Sequence, residues 1–183
     1  MTDYYNKYLK YKTKYLELKN NDMVGGGKDK VLNNKKITLK NITKNNFYYI
    51  IELNSGKDNE YVASNSYTII EAFFNKKIKY VKAIYLDNEP IGLIWFDPIN
   101  KNEMFVHRFM IDKKYQGKGY GSISFNLSLK YFINKYKPNK LIISSKNQIA
   151  LNLYKKFGFV DTGKIEYEEN VLEVLTKDII YID

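Results

Sequence analysis

Apolar and polar positions along the chain change between a strand-like and a helix-like period, which predicts a mixed α/β protein. Short apolar runs flanked by turn residues predict strands, and the last of them is of the kind buried on both faces. These runs are Lys36–Leu39, Val81–Leu86, Ile91–Phe96, Met104–Ile111 and Leu141–Ser144. Apolar residues three and four apart predict the helices Lys44–Leu53, Ser66–Phe74, Ser122 to about Tyr136, and Asn147–Phe157.

Turn-forming residues separate several of these elements. Asp87-Asn88-Glu89-Pro90 lies between two apolar runs and predicts the turn of a hairpin. A second hairpin is predicted near the end of the sequence, with strands Glu166–Glu168 and Val171–Thr176 around Glu169-Asn170. Gly158 follows the last predicted helix, at a position where glycine commonly ends a helix.

The pattern of residues 1–30 differs from that of the rest of the chain. Within residues 2–20, aromatic and apolar residues recur at helical spacing, and Gly25–Gly27 then interrupts the pattern. We predict a helical leader with a glycine-rich joint over residues 1–30, followed by one domain over residues 31–183. The leader either packs as an extra helix on its own domain or docks a partner. Its composition resembles the Tyr/Lys-rich leaders of giant-virus proteins.

The composition excludes several kinds of site. Hydrophobic residues make up 44% of the chain, which is enough for a folded core. There are no cysteines and His107 is the single histidine, so disulfides, cysteine nucleophiles and multi-histidine metal sites are excluded. No apolar run approaches the roughly 20 residues that span a bilayer. We therefore expect a cytoplasmic protein with no membrane or metal partner; a viral leader would extend this to the host cytoplasm or the virion.

The formal net charge of +10 is carried almost wholly by lysine, since Arg108 is the only arginine. Sequence-specific nucleic-acid binding commonly uses arginine forks, so we do not expect specific DNA or RNA binding. A positive field nevertheless favours the capture of an anionic cofactor.

A glycine-rich run lies between the strand Met104–Ile111 and the helix that follows it. The run is Gln116-Gly117-Lys118-Gly119-Tyr120-Gly121. A strand, a glycine turn and a helix N-terminus together present backbone N–H groups to a phosphate. The Gly-Lys-Ser/Thr of a Walker loop is absent, and the run lies too late in the chain for a Rossmann fingerprint.

A second motif, over residues 147–159, indicates which phosphate-bearing ligand the glycine turn binds. Gln116, Gly119 and Gly121 are followed by Asn147, Ala150, Leu153, Tyr154, Gly158 and Phe159. Together these residues resemble the two motifs of the GNAT superfamily of acetyl-CoA-dependent N-acetyltransferases, over roughly residues 36–177. The stretch from His107 to Gly119 is also similar to bacterial spermine/spermidine acetyltransferases, which usually carry Asp or Glu where this chain has His107.

This resemblance implies a GNAT fold, with a mixed, mostly antiparallel sheet of about six to seven strands and helices on both faces. It implies acetyl-CoA as acetyl donor, with the pyrophosphate at the glycine turn and the pantetheine arm along the preceding strand. The implied cofactor-binding residues are Phe109, Met110, Ile111, Gln116, Gly117, Lys118, Gly119, Tyr120, Gly121, Asn147 and Tyr154.

Two residues are candidates for proton transfer. By resemblance, Tyr154 protonates the leaving thiolate, and its phenol has a reference pKa near 10, close to the 8.5 of a thiol. His107 is either the base that deprotonates the amine or a strand histidine satisfied by the backbone. On a regular strand Arg108 faces the side opposite to His107. Carboxylates that lie in acceptor-facing segments of the family are Asp97, Glu103, Glu60 and Glu71.

Three functions remain open from the sequence. The first is acetylation of a small primary amine, with a polyamine as the favoured acceptor. The second is acetylation of a protein or peptide amine, and the third is a structural or interaction protein with a vestigial acetyltransferase fold. By analogy with the family, the chain is also expected to form a homodimer through its C-terminal hairpin.

Overall fold

Seven strands form one mixed sheet in the computed structural model, which describes residues 35–56 and 63–182. They are β1 (Ile37–Asn41), β2 (Val81–Leu86), β3 (Glu89–Pro98), β4 (Glu103–Ile111), β5 (Lys140–Ser145), β6 (Val160–Glu166) and β7 (Glu169–Leu175). Their order in the sheet is β1-β2-β3-β4-β5-β7-β6, and only the β4–β5 pair is parallel. The predicted mixed, mostly antiparallel sheet is confirmed.

Helices cover both faces of this sheet. They are α1 (Phe47–Ile51), α2 (Asn65–Phe74), α3 (Tyr120–Tyr136) and α4 (Gln148–Lys156), with short 3-10 turns at Ile78–Tyr80 and Thr176–Asp178. One buried cluster joins the sheet to α3 and α4, and a second joins it to α1 and α2. No helix among the described residues is long and apolar enough to cross a membrane. The predicted leader over residues 1–30 lies outside the described residues.

The strand β3 shows why the sheet needs helices on both sides. Its residues from Ile91 to Phe96 are all buried. Ile94 and Phe96 belong to the cluster under α3 and α4, whereas Leu93 and Trp95 belong to the cluster under α1 and α2. Because side chains alternate across a strand, a continuous apolar run requires apolar cover on each face.

Three predicted elements differ from the structure, two in their bounds and one in its burial. The first helix is only Phe47–Ile51, because Asn46 accepts a hydrogen bond from the N–H of Thr43 at 2.7 Å and closes a turn before it. In the first hairpin Asp87 and Asn88 alone form the turn, while Glu89 and Pro90 belong to β3. The strand β5 alternates between half-buried and buried residues, so the prediction of burial on both faces was wrong.

The C-terminal hairpin also differs from the prediction. Its turn is Tyr167-Glu168, with φ of 50° and 65°, and Glu169 and Asn170 lie in β7. Two residues with positive φ are typical of the tight turns that match strand twist. The strand β6 was missed, because most of its residues are exposed and it has no apolar alternation.

The strand β4 carries a bulge at His107 that reverses one prediction. Trp95 pairs with Arg108 and Phe96 pairs with Val106, so His107 is an extra residue with no partner on β3. The ring of His107 lies 4.3 Å from that of Trp95, on the α1–α2 side of the sheet. Arg108 faces the same side as its partner Trp95, so the expectation that His107 and Arg108 face opposite sides was wrong.

Candidate active site

The parallel strands β4 and β5 separate halfway along their length. They pair only from Glu103 to Val106 on β4, and the remainder of β4 has no partner on β5. The N–H of Asp112 donates a hydrogen bond to the carbonyl of Ile91 in β3, at 2.8 Å. By strand alternation, the N–H groups of Ile111 and Phe109 therefore point into the gap, whereas that of Met110 points to β3. The gap thus offers two backbone donors to a ligand.

A network of hydrogen bonds holds the turn that follows β4. The buried carboxylate of Asp112 accepts from the N–H of Asn54 at 2.9 Å and from that of Lys114 at 3.0 Å. The side-chain amide of Gln116 donates to the carbonyls of Ile111 at 2.7 Å and Ser55 at 2.9 Å. Both amide hydrogens of Gln116 are therefore used within the protein, and its role here is to position the turn.

The glycine turn leads directly into the N-terminus of α3. Gly119 is the N-cap residue with φ of 83°, and no side chain caps the helix. Within the described part of the chain, the N–H groups of residues 119–122 have no hydrogen-bond partner. A Cβ added at Gly121 would meet no atom within 4 Å, so the space above the first turn is open. This terminus combines free donors with the positive end of the helix dipole.

The other side chains of the turn, Lys118 and Tyr120, lie at its rim. The ammonium of exposed Lys118 donates to the carbonyl of Lys114 at 2.8 Å, and it lies 5.9 Å from the centre of the Tyr115 ring. Tyr120 is half-buried and its ring lies 6.4 Å from that of Tyr115. Lys118 thus brings a positive charge to the open end of α3.

The predicted acid Tyr154 lies in α4, in the buried cluster between the sheet, α3 and α4. Its side chain is 5% exposed and packs on Phe125 and Phe159. Burial, and secondarily the carboxylate of Glu169, raise the pKa of the Tyr154 phenol above its usual range. The phenol is therefore protonated at neutral pH and able to donate a hydrogen bond.

Asn147 starts the helix that carries Tyr154. Its side-chain oxygen accepts from the N–H groups of Ile149 at 2.9 Å and Ala150 at 3.2 Å, which is the role of an N-cap. At the other end, Gly158 has φ of 90° directly after the helix, as predicted for a terminating glycine. These two residues fix the ends of the helix that carries Tyr154.

His107 lies on the opposite face of β4, under α2. Its Nε2 atom is 3.8 Å from Oε2 of Glu71, and its side chain is 25% exposed. Burial first, and then the Arg108 guanidinium, lower the pKa of His107, while Glu71 and Asp97 act in the opposite direction. The imidazole is therefore neutral at pH 7 and available as a proton acceptor.

The structure separates the four candidate carboxylates. Glu71 and Asp97 lie near His107, and Oε2 of Glu71 is buried without a hydrogen-bond partner among the described residues. Glu103 lies at the start of β4, where it pairs with Lys140 at 2.7 Å. Glu60 lies outside the described residues. Spacing in the sequence could not distinguish these four, because their distances from His107 depend on the packing of α2 over β3 and β4.

Three features of this region were absent from the sequence predictions. The ring of Trp95 contacts that of His107 at a tilt of 47°, Lys77 pairs with Asp97, and Asp112 holds the turn. Of these, only Asp112 had a local signal, as an acidic residue between a strand and a glycine turn. Among the described residues, no group of three or more potential ligands could hold a metal ion.

A pocket of about 240 Å³ lies further along the same face of β4. It is lined by Met110 together with residues of α1, its following loop and the start of α2, among them Leu53 and Asn65. The side-chain amide of Asn65 donates to the carbonyls of Ile50 at 2.9 Å and Leu53 at 3.2 Å, which fixes one wall of this pocket. The α1–α2 side of β4 therefore has room for part of an acceptor.

Comparison with known proteins places the chain among acetyltransferases. The family model described as "Acetyltransferase (GNAT) family" matches residues 43–159. The chain is 27% identical over 155 residues to the spermine/spermidine N(1)-acetyltransferase of Bacillus subtilis (strain 168), covering 78% of this chain and 99% of that protein. It is also 33% identical over 90 residues to the spermidine N(1)-acetyltransferase of Escherichia coli (strain K12), covering 45% and 46%.

Solved structures share the fold at lower identity. A spermidine N-acetyltransferase from Vibrio cholerae, in complex with CoA and spermine, superposes with a TM-score of 0.63 at 22% identity. The alignment covers 78% of this chain and 96% of that one. A GNAT-family acetyltransferase from Bacillus anthracis gives a TM-score of 0.62 at 19% identity, over 77% and 95% of the two chains.

Proposed function

Because the chain belongs to the acetyltransferase (GNAT) family, we propose that it transfers the acetyl group of acetyl-CoA to a small primary amine, with polyamines as the acceptor class. The observation that carries this proposal is a pair of free backbone donor sets, one on each side of the turn that follows β4. One set is the uncapped N-terminus of α3, and the other is the backbone of β4 beyond Val106. The acceptor class is supported by the spermine/spermidine acetyltransferases among the relatives.

Acetyl-CoA supplies the acetyl group as a thioester, and the chain offers distinct groups to its two ends. The free N–H groups of residues 119–122 and the dipole of α3 suit the pyrophosphate. Lys118 adds a positive charge at the same end. The absence of a Cβ at Gly121 leaves space for a phosphate oxygen to approach the backbone.

The N–H groups of Phe109 and Ile111 suit the thioester carbonyl. Both point into the gap and neither has a strand partner there. A fixed backbone donor stabilises the negative charge that develops on the carbonyl oxygen during attack, in the manner of an oxyanion hole. Met110 instead directs its side chain toward α1 and α2.

His107 and Tyr154 are proposed as the two proton-transfer groups. A primary amine has a pKa of about 10 and is mostly protonated at neutral pH, so a base must accept a proton before attack. The neutral imidazole of His107 is suited to this step, with Glu71 beside it to stabilise the imidazolium. The raised pKa keeps the phenol of Tyr154 protonated but makes it a weaker acid than a free tyrosine, so we propose that it stabilises the departing thiolate by donating a hydrogen bond or its proton.

A second candidate is a protein or peptide amine. Large apolar side chains on the outer side of α2 are exposed, namely Tyr67, Ile70, Phe73 and Phe74. They belong to the same helix as Glu71, and an exposed apolar surface of this kind is typical of contacts with a polypeptide.

A thiol-release assay with an acceptor panel tests the proposal. The panel contains spermidine, spermine, putrescine, aminoglycosides and short peptides, each with acetyl-CoA in excess. We expect release with the polyamines, and release with peptides alone would favour the second candidate. Calorimetric titration with acetyl-CoA tests the third possibility, since a chain that binds none would be a structural protein with a vestigial site.

A further inference from the structure

Lys77 holds its ammonium on the α1–α2 side of β4, where we propose that the acceptor amine binds. It follows α2, and its Nζ lies 2.7 Å from Oδ1 and 2.8 Å from Oδ2 of Asp97. The two side chains are 35% and 19% exposed, so the ion pair is half-buried. A carboxylate placed in this way is suited to hold the ammonium of an amine substrate. In this chain a lysine of the protein already occupies it.

Asp97 and Lys77 lie on the same face as His107. Asp97 pairs across the sheet with Phe105, and the ring of Phe105 lies 5.9 Å from that of His107. Asp97 and Lys77 also act on the pKa of His107, and they do so in opposite directions. The ammonium of Lys77 is therefore held on the same face of the sheet as the proposed base, through Asp97 and its neighbour Phe105.

The charges of this cluster balance. The carboxylates of Glu71 and Asp97 are matched by the cations of Lys77 and Arg108, and His107 is neutral at pH 7. Oε2 of Glu71 is buried and has no hydrogen-bond partner within the described part of the chain. A buried carboxylate oxygen is stabilised by a cationic donor, so Glu71 is suited to one ammonium group. A second ammonium nearby finds no free carboxylate, because Asp97 is already paired with Lys77, and it is repelled by the charge of Lys77.

We infer that Lys77 is a specificity-determining residue, which disfavours acceptors that carry a second ammonium group close to the reacting amine. This inference rests on the proposed function and narrows its acceptor. The site holds one ammonium at Glu71, and further charges are tolerated only where they extend away from Lys77. At an effective dielectric constant of about 20, the repulsion between two unit charges about 7 Å apart is strong enough to change a rate constant at least tenfold.

A matched pair of acceptors isolates this effect. Putrescine and n-pentylamine have the same length, and a methyl group in n-pentylamine replaces the distal ammonium of putrescine. The quantity to compare is the ratio of kcat/KM for putrescine to kcat/KM for n-pentylamine. We expect Lys77→Met to raise this ratio about tenfold. Lys76→Met is the control, because Lys76 is the adjacent residue and is exposed, and there the ratio should change less than about twofold.

Asp97→Asn should change the same ratio of kcat/KM values in the opposite direction. It removes the counter-ion and leaves the charge of Lys77 unbalanced, so the ratio should fall. A purely structural effect of either substitution would instead lower both kcat/KM values in parallel and leave the ratio unchanged. An unchanged ratio in both Lys77→Met and Asp97→Asn would overturn the inference.

A binding measurement separates this inference from the proposed function. Putrescine is titrated calorimetrically into the CoA-loaded wild type and into CoA-loaded Lys77→Met. Tighter binding by Lys77→Met supports the role of Lys77 even if neither protein acetylates any amine, a result that would refute the proposed function alone. Equal affinity for putrescine, or no binding by either protein, would refute the inference itself.

Discussion

The Nε2 atom of His107 lies 3.8 Å from Oε2 of Glu71, although 36 positions separate the two residues in the sequence. The contact exists because β4 carries one extra residue at His107, which turns both His107 and Arg108 toward α2. The pKa of the imidazole is lowered by burial and by Arg108, and Glu71 opposes that change. The protonation of His107 is therefore sensitive to a residue on a different element.

The first prediction concerns the pH dependence of this pair. Glu71 raises the pKa of His107, so Glu71→Gln removes a group that stabilises the imidazolium and should move the acidic limb of kcat/KM to lower pH. The pH profile of kcat/KM with a fixed amine measures the shift. His107→Ala should abolish that limb, and a His107→Ala profile identical to wild type would exclude His107 as the base.

The second prediction concerns Tyr154. Tyr154→Phe keeps the ring that packs on Phe125 and Phe159 and removes the proposed donor. We expect kcat to fall by about 10²–10⁴-fold, the range for general acid catalysis, with little change in acetyl-CoA affinity. Because the pKa of Tyr154 is raised, deprotonation of the phenol should produce no loss of kcat below about pH 10 in the wild type.

Tyr136→Phe is the matched control for Tyr154, since Tyr136 is in the last turn of α3 and packs on Tyr80 and Phe132. Its kcat should stay within about twofold of wild type, as expected for a change remote from the proposed site. Steady-state kinetics and calorimetry with acetyl-CoA measure the two quantities. Equal losses of kcat in both variants would contradict a specific role for Tyr154.

The third prediction separates ligand binding from stability at Gly121. A Cβ at this position meets no protein atom within 4 Å, and the residue lies in the first turn of α3. Gly121→Ala should therefore keep the free energy of unfolding or raise it by up to about 1 kcal/mol. It should also weaken acetyl-CoA binding, because the methyl group fills the space proposed for the pyrophosphate. Asn134→Ala, at an exposed position of the same helix, should change stability without changing that affinity.

The fourth prediction concerns stability at Gly158. Its φ is 90°, and an added Cβ would lie 2.8 Å from the carbonyl oxygen of Asp178. Gly158→Ala should lower the free energy of unfolding by about 1–3 kcal/mol, through backbone strain and this close contact. Gly163→Ala is the control, because Gly163 has φ of 74° and open space around its Cα. Urea unfolding measures both, and an equal loss in the two variants would show that the contact with Asp178 is unimportant.

The sequence by itself determined the features that depend on local backbone requirements. Gly119 and Gly158 adopt positive φ, and Asn147 caps α4; each has a local sequence signal because only a few residue types satisfy such positions. The apolar runs likewise determined most strands, as in β3, because burial on both faces requires a continuous apolar sequence. The exposed strand β6 lacks that requirement and was missed.

Only the tertiary structure decided which groups meet at the acceptor side. The bulge at His107, the separation of β4 from β5 after Val106, and the position of Glu71 all depend on pairings between distant segments. A one-residue shift in register moves a side chain to the other face of a sheet, and no local pattern encodes that shift. The Lys77–Asp97 ion pair also depends on tertiary packing, since the flexible lysine side chain reaches Asp97 only when α2 is packed on the sheet.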